Sequence, residues 1–334
     1  MTMLALGNQS AVTRFTVQCF SDKQDLQTPL FTVFLLAFLI ILIGNIIVIA
    51  TITLSAQLHK PMYMFLGSLS FLDISSTSTI LPKLLAMLHT QDKTISFSGC
   101  MVQLYFFMAF ACIEFILLSA MSYDRYVAIC YPLHYALRMS LKHCAKIILG
   151  VWAAGLLDPV IHTLLTANLS FCSSNHINHF FCDLTPLLKL SCSDTSPIEM
   201  ITYIYGVIVV ISTFTITSVS YVFILYKILK IHSSQGQKKA FSTCTSHLTC
   251  VIIFYGTIIC LYMRPTKSIS PNQDTFALLY VVLVPVLNPF IYTLKNKEFK
   301  DNLWKMKTRI SSNLISVKCT MKSLSRLINC GCKA

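Results

Sequence analysis

Acidic side chains inside long apolar runs are the first sign of chemistry in this sequence. Asp73, Glu114 and Asp158 each stand alone in such a run. An ionisable group inside a membrane span is costly and usually marks a functional site or a buried partner. Two carboxyl groups that face one polar pocket share a proton or hold a cation such as Na⁺. For Asp73 and Glu114, a neutral, hydrogen-bonded structural pair is equally consistent with the sequence.

Histidine and cysteine side chains offer two further candidates. Asp158 and His162 lie four residues apart on one helix face, so a local ion pair is favoured over a ligand contact. His176, His179 and Cys182 are of types that bind metals, but a cysteine in a disulfide cannot also be a thiolate ligand. No metal site is therefore predicted there. The ten glycines form no GxGxxG motif and no Ser-His-Asp order is evident, so we predict no enzyme activity.

The sequence Asp124-Arg125-Tyr126 places a permanent charge at the end of an apolar run. Arginine suits a switch in which a charge is held and released, because its charge is permanent and its guanidinium is planar. The alternative is an interfacial arginine that reaches lipid phosphates.

The composition indicates that these residues belong to a membrane protein. Of the 334 residues, 55% are hydrophobic and 12% are charged, whereas soluble domains carry about 25% charged residues. This excludes an ordinary soluble enzyme, a disordered chain and a nucleic-acid-binding domain.

Seven apolar runs are long enough to cross the hydrocarbon core as helices. They do not alternate in polarity as the shorter strands of a membrane barrel would. We therefore predict an all-α membrane protein, a seven-transmembrane helix bundle. The predicted spans are residues 29–54, 61–82, 99–124, 146–166, 199–226, 240–262 and 274–294.

The distribution of positive charge sets the orientation of the bundle. Of the 26 Lys and Arg residues, 19 follow odd-numbered spans or lie in the tail, and the side rich in Lys and Arg is cytoplasmic. The N-terminus is then outside. The chain has a net charge of +13, and its positive charge is concentrated on the side that faces anionic lipid and cytosolic partners, so nucleic acid is not needed to explain it. Asn8 and Asn168 begin glycosylation sequons, and both fall on the outer side.

The predicted organisation has three parts. Residues 1–28 form an extracellular segment, residues 29–294 form the bundle, and residues 295–334 form a basic cytoplasmic tail. The tail begins with a short amphipathic helix after the seventh span.

Four cysteines lie on the predicted outer side. Cys100 opens the third span, and Cys172, Cys182 and Cys192 lie in the loop that follows the fourth. The lumen and the cell surface are oxidising, so these four can pair. Four cysteines allow three pairings, and their number alone does not choose among them.

Several motifs, in this order and spacing, resemble the odorant receptor branch of the rhodopsin-like G-protein-coupled receptors. They are GN at 44–45, LHKPMYMFL at 58–66, LSFLD at 69–73, MSYDRYVAIC at 121–130, SY at 220–221, KAFSTC at 239–244, SHL at 246–248, and P with NPFIY at 285–292. The resemblance implies a multi-pass plasma-membrane receptor for a small-molecule odorant. Such a receptor activates a stimulatory, olfactory-type heterotrimeric G protein and raises cAMP. The alternative class is a transporter or channel, in which internal repeats are expected and none is evident.

The resemblance also implies roles for individual residues. It implies that Asp124 holds Arg125 at rest and releases it toward the G protein on activation. The positions that it assigns to coupling and activation are Asp124, Arg125, Tyr126, Tyr221, Asn288, Pro289 and Tyr292. It places Asp73 near Asn288, so the candidate Na⁺ site comprises Asp73, Glu114 and Asn288. It implies a Cys100–Cys182 disulfide, which leaves Cys172–Cys192 as the second.

A ligand pocket is expected in the outer half of the bundle, between helices. The face of span three above Glu114 is directed toward the ligand by the resemblance, and other spans add residues at similar depth. The predicted set is Phe107, Met108, Ala111, Cys112, Tyr205, Val209, Tyr255, Ile258, Ile259, Tyr262 and Leu278. For any single member, inter-helix packing is the alternative. The set is nearly all apolar, so we predict small, neutral, hydrophobic ligands that bind weakly.

Overall fold

The computed structural model describes residues 12–18, 24–172, 175–262, 277–294 and 298–308. Its helices are α1 (Gln24–Leu54), α2 (Pro61–Thr90), α3 (Phe97–Cys130), α4 (Tyr135–Arg138), α5 (Leu141–Ala167), α6 (Leu184–Lys189), α7 (Ser196–Leu229), α8 (Ser234–Tyr262), α9 (Val284–Leu294) and α10 (298–308). A π-helical turn, Leu279–Leu283, leads directly into α9.

Seven of these helical segments correspond to the predicted spans. Among the described residues, five helices are long and apolar enough to cross a membrane: α1, α2, α3, α5 and α7. The apolar segments of α8 (His247–Ile258) and of the π-helical turn with α9 (Leu279–Ile291) supply the other two. The predicted seven-span helical bundle is therefore confirmed.

The helix ends follow from local sequence signals. Pro61 occupies the first turn of α2, where its missing N–H has no helical partner to lose. Ser96 caps α3 and Ser140 caps α5, and each hydroxyl accepts a hydrogen bond from the backbone N–H three residues later, at 3.1 and 3.3 Å. Several helices extend beyond the predicted spans, because an apolar run marks only the part inside the hydrocarbon.

A three-stranded sheet covers the outer end of the bundle, and the sequence pattern did not indicate it. The strands are β1 (Arg14–Val17), β2 (Thr94–Ser96) and β3 (His176–Ile177), in the order β2-β1-β3. β1 pairs antiparallel with β2 and parallel with β3. Phe15 of β1 is fully buried, and its ring lies edge-on to Phe171 at 5.3 Å. The extracellular segment is thereby joined to two outer loops.

Helix α3 lies at the centre of the bundle and packs against α2, α5, α7 and α8. Gly155 of α5 lets α3 approach closely, because a Cβ there would come within 2.3 Å of the Ile113 side chain. The Tyr105 hydroxyl donates to the Leu156 carbonyl at 2.7 Å. These contacts fix the rotation of α3 relative to α5.

Two disulfides join the outer cysteines in the pairing expected from the resemblance. Cys100 at the start of α3 is bonded to Cys182, and Cys172 is bonded to Cys192. The first bond fastens the loop between α5 and α7 to the centre of the bundle. Removing such a bond typically costs 2–4 kcal/mol of stability.

Helix α10 lies on the cytoplasmic side, where the amphipathic helix was predicted. Glu298 forms an ion pair with Lys60 and accepts a hydrogen bond from the Tyr63 hydroxyl at 3.3 Å. Phe299 is fully buried, whereas Trp304 on the same helix is exposed. An apolar anchor and an interfacial tryptophan suit a helix that lies along the membrane surface. The tail after residue 308 is outside the described residues.

Candidate functional site

An aromatic wall lines the outer half of the bundle. The Phe107 ring on α3 lies edge-on to Phe181 of the outer loop at 4.8 Å and to Tyr280 at 6.0 Å. About two helical turns deeper, Phe115 meets Phe254 of α8 at 4.7 Å and Tyr255 at 5.5 Å. Helices α3 and α8, the π-helical turn and the outer loop therefore meet around a largely apolar interior.

A polar layer lies beneath Phe107 and begins at the depth of Phe115, because Glu114 is the neighbour of Phe115 in α3. The Tyr280 hydroxyl donates to Glu114 Oε2 at 3.2 Å. The Asn288 amide of α9 donates to both carboxylate oxygens of Asp73, at 3.1 and 3.0 Å. Glu114 and Asp73 are buried, and their charged forms are near enough to repel each other. The layer thus ties α2 and α3 to the helix that carries Tyr280 and Asn288.

The structure places most of the predicted pocket residues at the bundle interior. Phe107, Tyr255 and Ile258 are buried, and Met108, Ala111, Val209 and Leu278 are half-buried against the main core. The side chains of Ile259 and Tyr262 lie outside the described part of α8.

Two predicted pocket residues are directed elsewhere. Tyr205 is 50% exposed on the outer surface of α7, and its ring lies 6.0 Å from His162 of α5. The Cys112 thiol interacts electrostatically with the Asp158 carboxyl group of α5. Similar depth places a residue at the correct height in the bundle, but the rotation of each helix decides which way the side chain points.

Asp158 differs from its expected arrangement as well. His162 Nδ1 lies 3.3 Å from the Asp158 backbone carbonyl oxygen, not from its carboxyl group. The two side chains interact electrostatically, but the described contacts contain no direct ion pair between them.

Three residues of the aromatic interior were not singled out by the sequence. Phe181 and Phe254 are buried, and Tyr280 is buried within the π-helical turn. The π-helical turn changes the phase of the helix, so a regular helical spacing could not assign an inward direction to Tyr280. A signal did exist for Phe181, because a disulfide at Cys182 brings its neighbour over α3.

The outer loop closes the wall from above. Gln103 of α3 accepts from the Cys182 N–H at 3.0 Å and donates to the Thr79 carbonyl at 3.0 Å, so it joins loop, α3 and α2. Burial lowers the pKa of His179 to about 4, so its ring is neutral at pH 7. Burial raises the pKa of Asp183 to about 6, and its carboxylate caps α6 by accepting from the Leu184 N–H. A neutral His179 leaves the loop above the wall without a positive charge at that position.

The cytoplasmic end of α3 holds the predicted arginine in an ion pair. Arg125 Nε donates to Asp124 Oδ2 at 3.1 Å, and both side chains are buried. The Tyr135 hydroxyl donates to the other Asp124 oxygen at 2.8 Å. Burial raises the pKa of the Tyr135 phenol, so it remains protonated and able to donate. Asp124 therefore holds the guanidinium and is itself held by α4.

The other predicted activation residues surround this ion pair or lie on α9. Tyr221 of α7 and His247 of α8 share a hydrogen bond beside the pair. Tyr126 packs against Phe223 of α7, with ring centroids 5.8 Å apart. Pro289 lies against Gly44 of α1, where a Cβ would come within 3.3 Å of its ring. The side chain of Tyr292 is outside the described residues.

The structure describes one of the two predicted glycosylation sites. Asn168 is exposed at the end of α5 on the outer side, and its side-chain amide donates to the Leu164 carbonyl at 2.9 Å. Asn8 lies outside the described residues.

Comparisons with known proteins agree with this arrangement. The family model described as olfactory receptor matches residues 34–309. Olfactory receptor 5AR1 of Mus musculus is 49% identical over 294 residues, which cover 88% of this chain and 95% of that protein. Olfactory receptors 5B21 and 5F1 of Homo sapiens are each 45% identical, over 91% and 95% of this chain and 99% of each relative. Because the match spans most of the bundle at this level of identity, the chain belongs to the olfactory receptor family of seven-transmembrane, G-protein-coupled receptors.

Proposed function

We propose that this plasma-membrane odorant receptor detects small, neutral, mainly apolar odorants in the outer half of its bundle. Membership of the family makes it a multi-pass signalling receptor that couples to a G protein and raises cAMP, and not an enzyme. The position of Tyr280 is the main support for the proposed site and ligand class. Its ring contacts Phe107 in the aromatic wall, and its hydroxyl binds Glu114 in the polar layer.

The chemistry of the wall supports a neutral ligand. Phe107, Phe181 and Ile258 offer apolar surface, and the carboxyl group of Glu114 is engaged by Tyr280. An ammonium ligand would need an exposed acid, and a carboxylate ligand would need a cation at this wall. A small ligand with few hydrogen bonds gains little binding energy, so micromolar rather than nanomolar affinity is expected.

The contacts of Tyr280 and Asn288 give the ligand a route to the cytoplasmic end. Both residues belong to one helical segment, which also carries Pro289. The helical segment with Tyr280 can take a second position in the active bundle. A ligand that packs better against Tyr280 in that position stabilises the active bundle. Activation is then a shift between two arrangements, and its extent is set by the difference in ligand affinity for them.

The cytoplasmic surface is suited to a protein partner. Leu133 and Leu137 are 93% and 82% exposed in the segment that follows α3. They lie four residues apart, so they can form one apolar patch. Exposed apolar patches of this kind mark sites of protein interaction. We infer that the G protein covers this patch and receives Arg125 when its pairing with Asp124 is released.

A panel of volatile compounds tests the proposed ligand class. We expect neutral esters, ketones and alcohols to raise cAMP in cells that express the receptor, and permanently charged amines of similar size to be inactive. The difference arises because a charge in an apolar site loses its hydration without a partner. Cells that express Arg125→Ala at the same surface level are the control. Activation by charged amines alone would contradict the proposal.

We further propose that the polar layer binds Na⁺ in the resting arrangement. Two buried carboxyl groups near each other present the oxygen ligands that hard cations prefer. Asp73 and Glu114 would hold the ion, and Asn288 would orient the Asp73 carboxylate. The ion would offset the repulsion between the two carboxylates and hold α2 and α3 together. The alternative, in which the pair is neutralised by protons, predicts no dependence on Na⁺.

The sodium dependence of agonist potency separates these two cases. Bound Na⁺ would stabilise the resting arrangement of the receptor. Replacing sodium chloride by N-methylglucamine chloride should therefore increase agonist potency about fivefold or more. Asp73→Asn should give the same agonist potency in the two salts, as measured by G-protein activation in membranes that contain the receptor. Glu199→Gln, which removes an exposed acid of α7, should preserve it. Equal wild-type potency in the two salts would disprove the sodium site.

A further inference from the structure

A groove with a volume of about 540 Å³ lies between the outer ends of α2 and α3. Its walls include Arg14 of β1, Lys83 of α2, Asp92 of the following loop, and Val102 and Phe106 of α3. None of these residues belongs to the aromatic wall or to the polar layer. The groove is therefore separate from the proposed odorant site.

The extracellular end of the groove is cationic. Arg14 and Lys83 provide two positive charges, and Asp92 provides one negative charge. The Asp92 carboxylate already accepts from the Thr94 N–H at 2.9 Å and from the Thr94 hydroxyl at 2.7 Å. Lys83 donates to the Thr94 carbonyl at 2.6 Å, and an ammonium group has three donors. The two cations therefore keep donors for an anion.

The opposite end of the groove is apolar and faces the membrane. Val102 is 56% exposed and Phe106 is 37% exposed, although both lie in a membrane-spanning helix. They are four residues apart and share one face of α3. Between the two ends, Gln103 is satisfied by Thr79 and Cys182. From Ser96 to Phe106 the helix rises about 15 Å, so the groove passes from the level of the sheet into the hydrocarbon.

We propose that this groove binds a glycerophospholipid of the outer leaflet, with its phosphate between Arg14 and Lys83 and an acyl chain along Val102 and Phe106. A phosphate matches the net positive charge and the donors at the outer end. The apolar wall explains why the occupant is a lipid and not a free anion. Since Arg14 belongs to β1 and Lys83 to α2, the lipid also fastens the extracellular strand to the bundle.

Lipid binding to the purified full-length receptor tests the proposal. The probe is dioleoylphosphatidylglycerol, added to receptor in detergent and counted per protein by native mass spectrometry. Arg14→Gln and Lys83→Gln should each weaken binding about fivefold, as expected for one interfacial cation. Lys189→Gln removes another exposed outer cation, on α6, and should leave binding unchanged. Lys83→Gln keeps a donor for the Thr94 carbonyl, so the loop should be preserved.

Two further measurements distinguish a lipid site from a simple anion site. Val102→Ser should weaken lipid binding while both cations remain, and an excess of inorganic phosphate should not displace the lipid. Equal binding by wild type and by Arg14→Gln would overturn the proposal, and so would an equal loss in Lys189→Gln. Displacement by inorganic phosphate would identify a free-anion site instead. Arg14 is exposed on its strand, so this variant decides the question even if Lys83→Gln fails to fold.

Discussion

Arg125→Ala should reduce agonist-evoked cAMP to the level of cells without the receptor. The guanidinium is buried at the cytoplasmic end of α3 and is held by Asp124, which Tyr135 holds in turn. Alanine removes the guanidinium, which Asp124 holds in the resting state and which the G protein would receive on activation. A lysine at this position would restore the charge but not the planar, two-point geometry.

The receptor should still fold when Arg125 is replaced. The removed charge lies at the cytoplasmic end of α3, and the buried Asp124 carboxylate keeps its hydrogen bond from the Tyr135 hydroxyl. Surface labelling of the variant should therefore match the wild type. Lys142→Ala, which removes an exposed cation from the start of α5 on the same side, is the matched control and should signal normally. Normal cAMP from Arg125→Ala at matched surface expression would contradict the proposed role.

A carboxylate placed in the aromatic wall should have the second large effect. Met108→Glu and Ile258→Glu each introduce a charge beside apolar side chains of α3 and α8. A buried charge without a partner costs several kcal/mol, so the concentration of a neutral agonist needed for half-maximal response should rise more than about 100-fold. The readout is the cAMP dose–response curve at equal surface expression.

Conservative variants at the same positions separate charge from packing. Met108→Leu and Ile258→Val keep an apolar side chain of similar size, and such exchanges usually cost less than about 1.5 kcal/mol. They should shift the dose–response curve about tenfold at most. If both glutamate variants reach the surface and keep the wild-type curve, the pocket lies elsewhere.

The helical architecture was predictable because membrane insertion leaves a coarse signal. A run of about 20 residues without charge suffices to identify a span, and each predicted span has its helical segment. The outer sheet left no such signal. β1 has four residues and β3 has two, so their pairing depends on contacts between segments that are distant in sequence.

The pocket was less predictable than the fold. The depth of a residue in the membrane follows from its position in the span, but the rotation of the helix about its axis does not. Cys112 shares a helix face with Met108 in sequence, yet it interacts with Asp158 of α5, and the close approach of α3 to Gly155 of α5 is not visible in the spacing of α3. Tyr205 lies at a suitable height on α7 but is directed to its outer surface. Tyr280 is brought inward by a local change of helix type that no apolar spacing indicates.

Guanine-nucleotide exchange on a purified stimulatory G protein tests whether the outer pocket controls the cytoplasmic end of α3. The receptor is reconstituted in lipid nanodiscs, and the agonist is a neutral volatile compound that is active in the cell panel. We expect this compound to accelerate exchange with wild-type receptor and to leave the basal rate unchanged with Arg125→Ala or Met108→Glu. Acceleration that persists in both variants would contradict the link from the outer pocket through α3 to the G protein.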